Sequence, residues 1–368
     1  MKVGLRMKKE MYSSEITVLR DTFRRLLRRH AKTNIVKLID KTHPADLALI
    51  FRYFNDSEQD SIFSSMSASE ETVEFLNELD ESITTRLIEN EAPNRLAEIL
   101  EQASSNEQAY LMGLVDDKFA ASVIELLQAE EQEELEEMMA YPEDSAGILM
   151  HTDVFTLHED TKAREAIYAL QDQEEAEMVF YLYTLDDDGR LTGVISLRDL
   201  VTTPSDTMLK DIMSKNIQAV RPETDQEEVA RIVSQYNFLA VPVVDSDEQL
   251  LGIVTVDNVV DVIREEATED FLQLAGAGKD REILLKSSWE NARIRLPWLF
   301  ASWIGGIMAA FIIGIFDNIL ENAIALAAFI PVIIGMGGNV GTQSSTMIVR
   351  GLATGRVSFE NSVKVLFK

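Results

Sequence analysis

The 368-residue chain has no cysteine, which excludes disulfide frameworks, thiolate metal sites and cysteine nucleophiles together. Histidine is scarce, at four residues, so metal ligands are expected to be carboxylates, which suit hard ions such as Mg²⁺ or Ca²⁺. Positive charge is also short: 34 Lys and Arg stand against 63 Asp and Glu, a formal net charge of −29. Such a surface gathers cations and repels nucleic acid, so no nucleic-acid partner is expected, although acidity serves solubility equally well. The opening MKVGLRMKKEMY is basic but runs into no apolar stretch. No signal peptide is therefore expected, and the N-terminus is assigned to the cytosol. There is no P-loop, nucleophile elbow or dinucleotide fingerprint, and no enzymatic role is expected.

A chain of this length holds two or three domains, and its texture changes along the way. From Ile35 to Met139 it reads as short amphipathic segments, among them DLALIFRYF, ETVEFLNEL, NRLAEIL and FAASVIELL, separated by polar breaks such as NDSEQD and ASSNEQ. Little β-branched alternation interrupts them, so the spacing predicts an all-α, superhelical stack of hairpins over residues 1–140. The string FRRLLRRH fits the basic face of an ordinary helix better than a membrane-surface helix. After Tyr141-Pro142, one β-α-β-β-α unit occurs twice. MVFYLYTLDDDGRLTGVISLRDLV and FLAVPVVDSDEQLLGIVTVDNVV match Asp186 to Asp245, Gly193 to Gly252 and Ser196 to Thr255. The copies, residues 141–204 and 205–264, are expected to pack as one α/β disc.

A charged helix, VVDVIREEATEDFLQLAG, then leads through a break at GAGKD into apolar sequence; residues 265–292 are read as a long linking helix. Leu296–Phe316 carries no charge and is long enough to span a bilayer, with Trp298 and Trp303 suited to an interfacial belt. A second apolar stretch, AIALAAFIPVIIGMGGNVGTQSSTMIV, follows the acidic loop DNILEN, so residues 293–368 are expected to form an α-helical transmembrane part. Lys286, Arg293 and Arg295 precede the first stretch, and Arg350, Arg356 and Lys364 follow the second. The positive-inside rule puts both ends in the cytosol of a multi-pass membrane protein.

This order, together with PVIIGMGGNVGTQSSTMIVRG from Pro331 to Gly351, resembles the MgtE family of bacterial magnesium channels over nearly the whole chain. The tandem repeat resembles a pair of CBS domains. The resemblance implies a homodimeric, magnesium-selective channel in the lipid membrane whose cytosolic domains sense Mg²⁺ and close the pore. The family carries five membrane helices, whereas this chain ends at Lys368 after two. Helices supplying much of the pore, including an acidic residue for the permeating ion, are thus expected to be missing from it. If two spans are the complete membrane part, the alternative is a membrane-anchored CBS sensor of nucleotides or cations that regulates a partner.

The resemblance also implies sites. In nucleotide-binding CBS modules the second strand ends in Ser/Thr-x-x-Asp, whose carboxylate holds a ribose hydroxyl pair. Ser196 and Asp199 fill that pattern, with Arg198 for phosphate, Tyr181 and Phe238 for the adenine, and ATP as the implied ligand. Asn258 stands at the Asp position of the second copy, and Asp199 fits a helix N-cap as well. For Mg²⁺, the matched positions are Asp225, Glu227, Asp261, Glu266, Glu269 and Asp270. Glu266 and Asp270 lie four apart, a like-charge spacing that a cation relieves. A solvated acidic face explains the same residues, and Thr224 with Glu227 reads as a capping box. The family's Asp-rich helical stretch is replaced by SSNEQAYLMG, which moves expected sensing there to Glu107, Asp116 and Asp117. In the membrane string, Pro331 is expected to break helical bonding, and Gly335, Gly337, Gly338 and Gly341 to expose carbonyls. Asn339, Thr342 and Gln343 would add neutral oxygens that pass hydrated Mg²⁺; close helix packing is the other reading.

Overall fold

A computed structural model describes residues 16–172, 180–274, 288–316 and 329–353. The opening MKVGLRMKKEMY, the GAGKD break, the DNILEN loop with the start of the second apolar stretch, and Arg356 and Lys364 lie outside the described residues. Two compact units divide the chain, Met1–Val262 and Ile263–Lys368.

The first unit begins with short helices: α1 (16–28), α2 (Lys32–Ile39), α3 (Pro44–Phe51), α4 (Asp56–Phe63), α5 (Glu70–Asn77), α6 (Glu81–Glu89), α7 (Pro93–Leu100), α8 (Ser105–Gly113), α9 (Asp117–Ile124) and α10 (Ala129–Met139). Helices this short need good ends. Pro44 and Pro93 sit at helix starts, where the missing N–H costs nothing. Asn55 with Glu58 and Ser104 with Glu107 form reciprocal capping boxes. α3 packs on α5, α5 on α7 and α7 on α9, while α8 packs on α10, so alternate helices stack into the expected superhelix.

The stack carries a repeated polar device. Gln59 Nε2 donates to the Phe51 carbonyl (3.0 Å), Thr84 Oγ1 to that of Leu76 (3.1 Å) and Gln108 Nε2 to that of Leu100 (2.9 Å). In each of these hairpins a buried side chain reaches eight residues back to a last-turn carbonyl, adding a second bond to the one that carbonyl accepts from the backbone N–H three residues on.

The repeat follows, with α11 (Ala146–Leu149), β1 (Thr156–His158), α12 (Ala163–Asp172), β2 (Tyr181–Leu185), β3 (Leu191–Ser196), α13 (Leu197–Thr202), α14 (Leu209–Ile212), α15 (Gln226–Tyr236), β4 (Ala240–Val244), β5 (Leu250–Thr255) and α16 (Val256–Leu274). β1 runs parallel to β2, and β2 pairs antiparallel with β3, as β4 does with β5. The registers coincide: Tyr181 faces Ser196 as Ala240 faces Thr255, and both hairpins shift register at the same place.

The leading segments of the two copies are exchanged. Ser214, near the start of the second copy, bonds reciprocally with Val194 of the first (2.9 and 3.1 Å). His151, near the start of the first copy, bonds the same way with Ile253 of the second (2.8 and 2.9 Å). This crossing explains the matched glycines: a Cβ on Gly252 would lie 2.6 Å from the His151 carbonyl oxygen, and one on Gly193 would meet the Met213 side chain. One hydrophobic cluster runs from the helical stack into the second copy, including Leu135, Met150, Val229, Val241 and Val262. The first copy has its own cluster, and Tyr183, Ala240 and Ile253 join the two.

In the second unit, α17 (Ser288–Ile315) is long and apolar enough to cross a membrane, with a mean hydropathy of 2.0 over its best window. None of its residues is buried among the described residues. The other expected span starts in residues outside the description, and its described part, α18 (Ile330–Ala353), does not reach the same apolarity. Its Asn339, Thr342, Gln343, Ser344, Ser345 and Thr346 are the reason.

Candidate functional site

The Ser/Thr-x-x-Asp pattern of the first copy sits where β3 turns into α13. Ser196 is the N-cap: its Oγ accepts from the Asp199 N–H (3.1 Å) and donates to Asp199 Oδ2 (2.7 Å). Asp199 is therefore the third helical residue rather than the cap, and its carboxylate remains exposed with one oxygen uncommitted. Arg198 beside it is exposed and has no ion pair among the described residues. Tyr181 opens β2 and packs into the joining cluster with Tyr183 and Ala240. Phe238 lies before β4 and stacks on Tyr236, with ring centroids 5.4 Å apart and 17° between planes. The described ring contacts thus pair Phe238 with Tyr236 and not with Tyr181.

In the second copy the same corner is built differently. Asn258 Nδ2 donates to the Leu149 carbonyl (3.1 Å) and lies 3.1 Å from His151 Nε2, so its amide ties down the exchanged segment. Thr255, the counterpart of Ser196, keeps a buried hydroxyl with no partner among the described residues. Sequence reasoning missed His151; the similarity of LMHTD and IMSKN near the start of the two copies was the available signal.

The expected Mg²⁺ ligands fall in two places. Asp225 caps α15, its Oδ1 accepting from the Glu227 N–H (2.8 Å). The anticipated Thr224–Glu227 capping box does not form, because the helix begins one residue later and Thr224 Oγ1 instead accepts from the Arg221 N–H (3.0 Å). Asp225 also lies beside the segment that follows the helical stack, since the Gln226 N–H donates to the Asp144 carbonyl (2.9 Å). Asp261, Glu266, Glu269 and Asp270 lie along α16, with Glu265 among them. Burial, and then the charge of Glu269, raise the Asp270 carboxyl above its ordinary range. Among the described residues no three carboxylate or imidazole groups converge on one point. A Mg²⁺ held on α16 would take its remaining ligands from water or another surface.

Of the helical acids, Glu107 is committed: it closes a capping box with Ser104 and accepts from Asn77 Nδ2 (2.7 Å). Asp116 caps α9. In α18, Pro331 does not break a helix; it occupies the second helical position, where no intrahelical N–H bond is due. Helix continues through Gly335, Gly337, Gly338 and Gly341, so their carbonyls serve the helix, and Thr342 Oγ1 bonds back to that of Gly338 (3.1 Å). Helical spacing aligns Gly335, Asn339, Thr342, Gln343 and Thr346 as one small and polar stripe.

Three family profiles match the chain: the MgtE intracellular N domain over residues 42–144, the CBS domain over 146–206 and 209–265, and a divalent cation transporter over 330–368. A magnesium transporter MgtE of Bacillus subtilis is 30% identical over 332 residues, covering 90% of this chain and 73% of the relative. One from Enterococcus faecalis is 41% identical over 226 residues, 61% of this chain and 49% of the relative. Among solved structures, the cytosolic domain of the Mg²⁺ channel MgtE in complex with ATP is 31% identical, with a TM-score of 0.63, over 66% of this chain and 99% of that one.

Proposed function

Because the chain belongs to the MgtE family of magnesium transporters, we propose that it is the cytosolic Mg²⁺ sensor and first membrane part of a Mg²⁺ channel that closes when cytosolic Mg²⁺ is plentiful. The observation that carries this reading is α16. Its early residues Val259 and Val262 are buried in the core of the second CBS copy, and the same unbroken helix then bears Glu265, Glu266, Glu269 and Asp270. At low Mg²⁺ these like charges repel along one helix; a cation bridging them to a second acidic surface favours one conformation over another. Glu266, Glu269 and Asp270 are the central ligands in this reading, with Asp261, Asp225 and Glu227 as further ones. The transporter match over residues 330–368 speaks for a pore helix, and against a mere anchor for a sensor that acts on a partner. The polar stripe with Asn339, Thr342 and Gln343 is its lining. The working unit is a homodimer in the cell membrane, with the helical domain and CBS pair in the cytosol, and it has no enzymatic step.

ATP is the second ligand of this reading, bound by the first copy with Asp199 at the ribose, Arg198 at the phosphates and Tyr181 or Phe238 at the base. Asn258 and the exchanged segment leave the second copy without an equivalent carboxylate. Limited proteolysis of the full chain in detergent tests the sensor. Added Mg²⁺ should slow cleavage within residues 16–274, and Na⁺ of matched ionic strength should not. Equal digestion in both would remove the sensor reading.

A further inference from the structure

The acidic chain has a basic end. Residues 1–41 hold 12 of the 34 Lys and Arg but four of the 63 Asp and Glu, so this ninth of the sequence carries +8 and the remainder −37. The segment precedes residue 42, where the N-domain match begins. Its described part is α1 and α2. The apolar side of α1 is already used: Phe23 is fully buried, and Ile16, Leu19, Leu26 and Leu27 pack against the same core. Two of its arginines are also spent on the stack, Arg24 donating to the Tyr53 carbonyl (2.6 Å) and Arg20 lying over the Tyr53 ring and against Asp21. Arg25, Arg28, Arg29, Lys32, Lys37 and Lys41 remain, all exposed and with no ion pair among the described residues. Helix ends account through the dipole for Arg25, Arg28 and Arg29, in or just after the last turn of α1, and for Lys37 in the last turn of α2, but not for Lys32 and Lys41. Nor does intramolecular pairing, although the chain offers abundant carboxylates.

We infer that this basic end docks on the anionic phospholipid headgroups of the cytosolic leaflet. The inference rests on the membrane reading of α17, which holds the protein beside such a surface. With the apolar side of α1 occupied, contact is through charge alone, so it involves no insertion and disappears with salt. Because the other residues carry −37 and are repelled by the same leaflet, the contact would fix which end of the cytosolic part faces the membrane. Nucleic acid is the competing polyanion, but only the lipid is held permanently nearby.

The absence of cysteine makes a single-site probe direct. Asn34→Cys on the exposed side of α2, labelled with a donor dye, is placed as full chain in nanodiscs containing a headgroup-labelled acceptor lipid. Phosphatidylcholine discs are compared with an equal mixture of phosphatidylcholine and phosphatidylglycerol. Energy transfer should be higher in the anionic discs and fall to the neutral-disc value in molar salt. Arg25→Gln, Arg28→Gln and Arg29→Gln together should lower the docked-to-free ratio by roughly a hundredfold, at about fivefold per basic side chain near an anionic surface. Salt dependence of the unmutated chain gives the same answer should the triple variant unfold. Equal transfer in both lipids, or transfer insensitive to salt, overturns the proposal. A response to added RNA without a lipid difference assigns the face to nucleic acid and overturns it too. Co-elution with the discs reports the membrane reading separately: a chain that never enters them sinks that reading and this one, whereas one that enters without a lipid difference sinks only this one.

Discussion

Replacing Asn258 with aspartate would write the nucleotide-binding pattern into the second CBS copy, yet the structure predicts damage rather than a gained site. The Asn258 amide donates to the Leu149 carbonyl at 3.1 Å and sits 3.1 Å from His151 Nε2, both partly buried. Asn258→Asp removes the amide donor to Leu149 and turns a carboxylate toward that carbonyl oxygen, leaving the carboxylate only His151 Nε2 as a donor, in the tautomer protonated there. Loss of the Leu149 bond costs about 1 kcal/mol, and the unpaired acceptor and charge add about 1–3 kcal/mol. For a unit of this size the sum lowers the melting temperature by about 5–15 °C. Asn258→Ala, which loses the bonds without introducing charge, should fall between. Circular dichroism of the full chain in detergent, followed through a heating ramp, gives the order wild type, alanine, aspartate. An aspartate variant that melts with or above wild type would refute the role assigned to Asn258 and the exchanged segment.

Three further outcomes follow from the same geometry. Glu266→Gln, Glu269→Gln and Asp270→Asn together relieve two like-charge pairs four residues apart, so the metal-free protein should gain about 0.5–1 kcal/mol; Mg²⁺-dependent hydrogen-exchange protection over residues 256–274 should vanish, and its survival would release these acids from sensing. The Asp270 carboxyl titrates above its ordinary value of 3.8 in the folded protein. The folded state therefore binds the proton first, and stability falls as pH rises from about that value through the raised one. Urea midpoints should show this slope in wild type and a flatter one in Asp270→Asn; parallel slopes would contradict it. Calorimetry should detect ATP binding that Asp199→Ala abolishes without unfolding the chain, since the Asp199 side chain is exposed; undiminished heat in that variant would move the site elsewhere.

Patterns that repeat were legible in the sequence, because they reflect local geometry. Asp186 with Asp245 and Gly193 with Gly252 predicted two like hairpins, and the hairpins share register and bulge. Amphipathic spacing found the helical stack, and an uncharged run found α17. Contacts between distant segments were not legible. The crossing of His151 onto Ile253 and Ser214 onto Val194 depends on two copies folding together, which no window of sequence contains. The Gln59, Thr84 and Gln108 device was open to inspection at a constant eight-residue reach, but its variable residue type hid it. Pro331 and Thr224 were misjudged for a shared reason: each effect depends on the residue at which a helix starts, and boundaries are the least determined part of a periodic pattern. Phe238 found its partner in Tyr236 because α15 ends with Asn237 in the left-handed conformation, which folds the chain back sharply there.

The most direct test of the central claim is an inside-out patch recording of the channel that contains this chain, with Mg²⁺ titrated onto the cytosolic face. Rising cytosolic Mg²⁺ should close the wild-type channel, and the Glu266, Glu269 and Asp270 triple variant should stay open at concentrations that shut it. Coincident inhibition curves for the two would exclude gating through these acids and leave α16 as a solvated acidic helix.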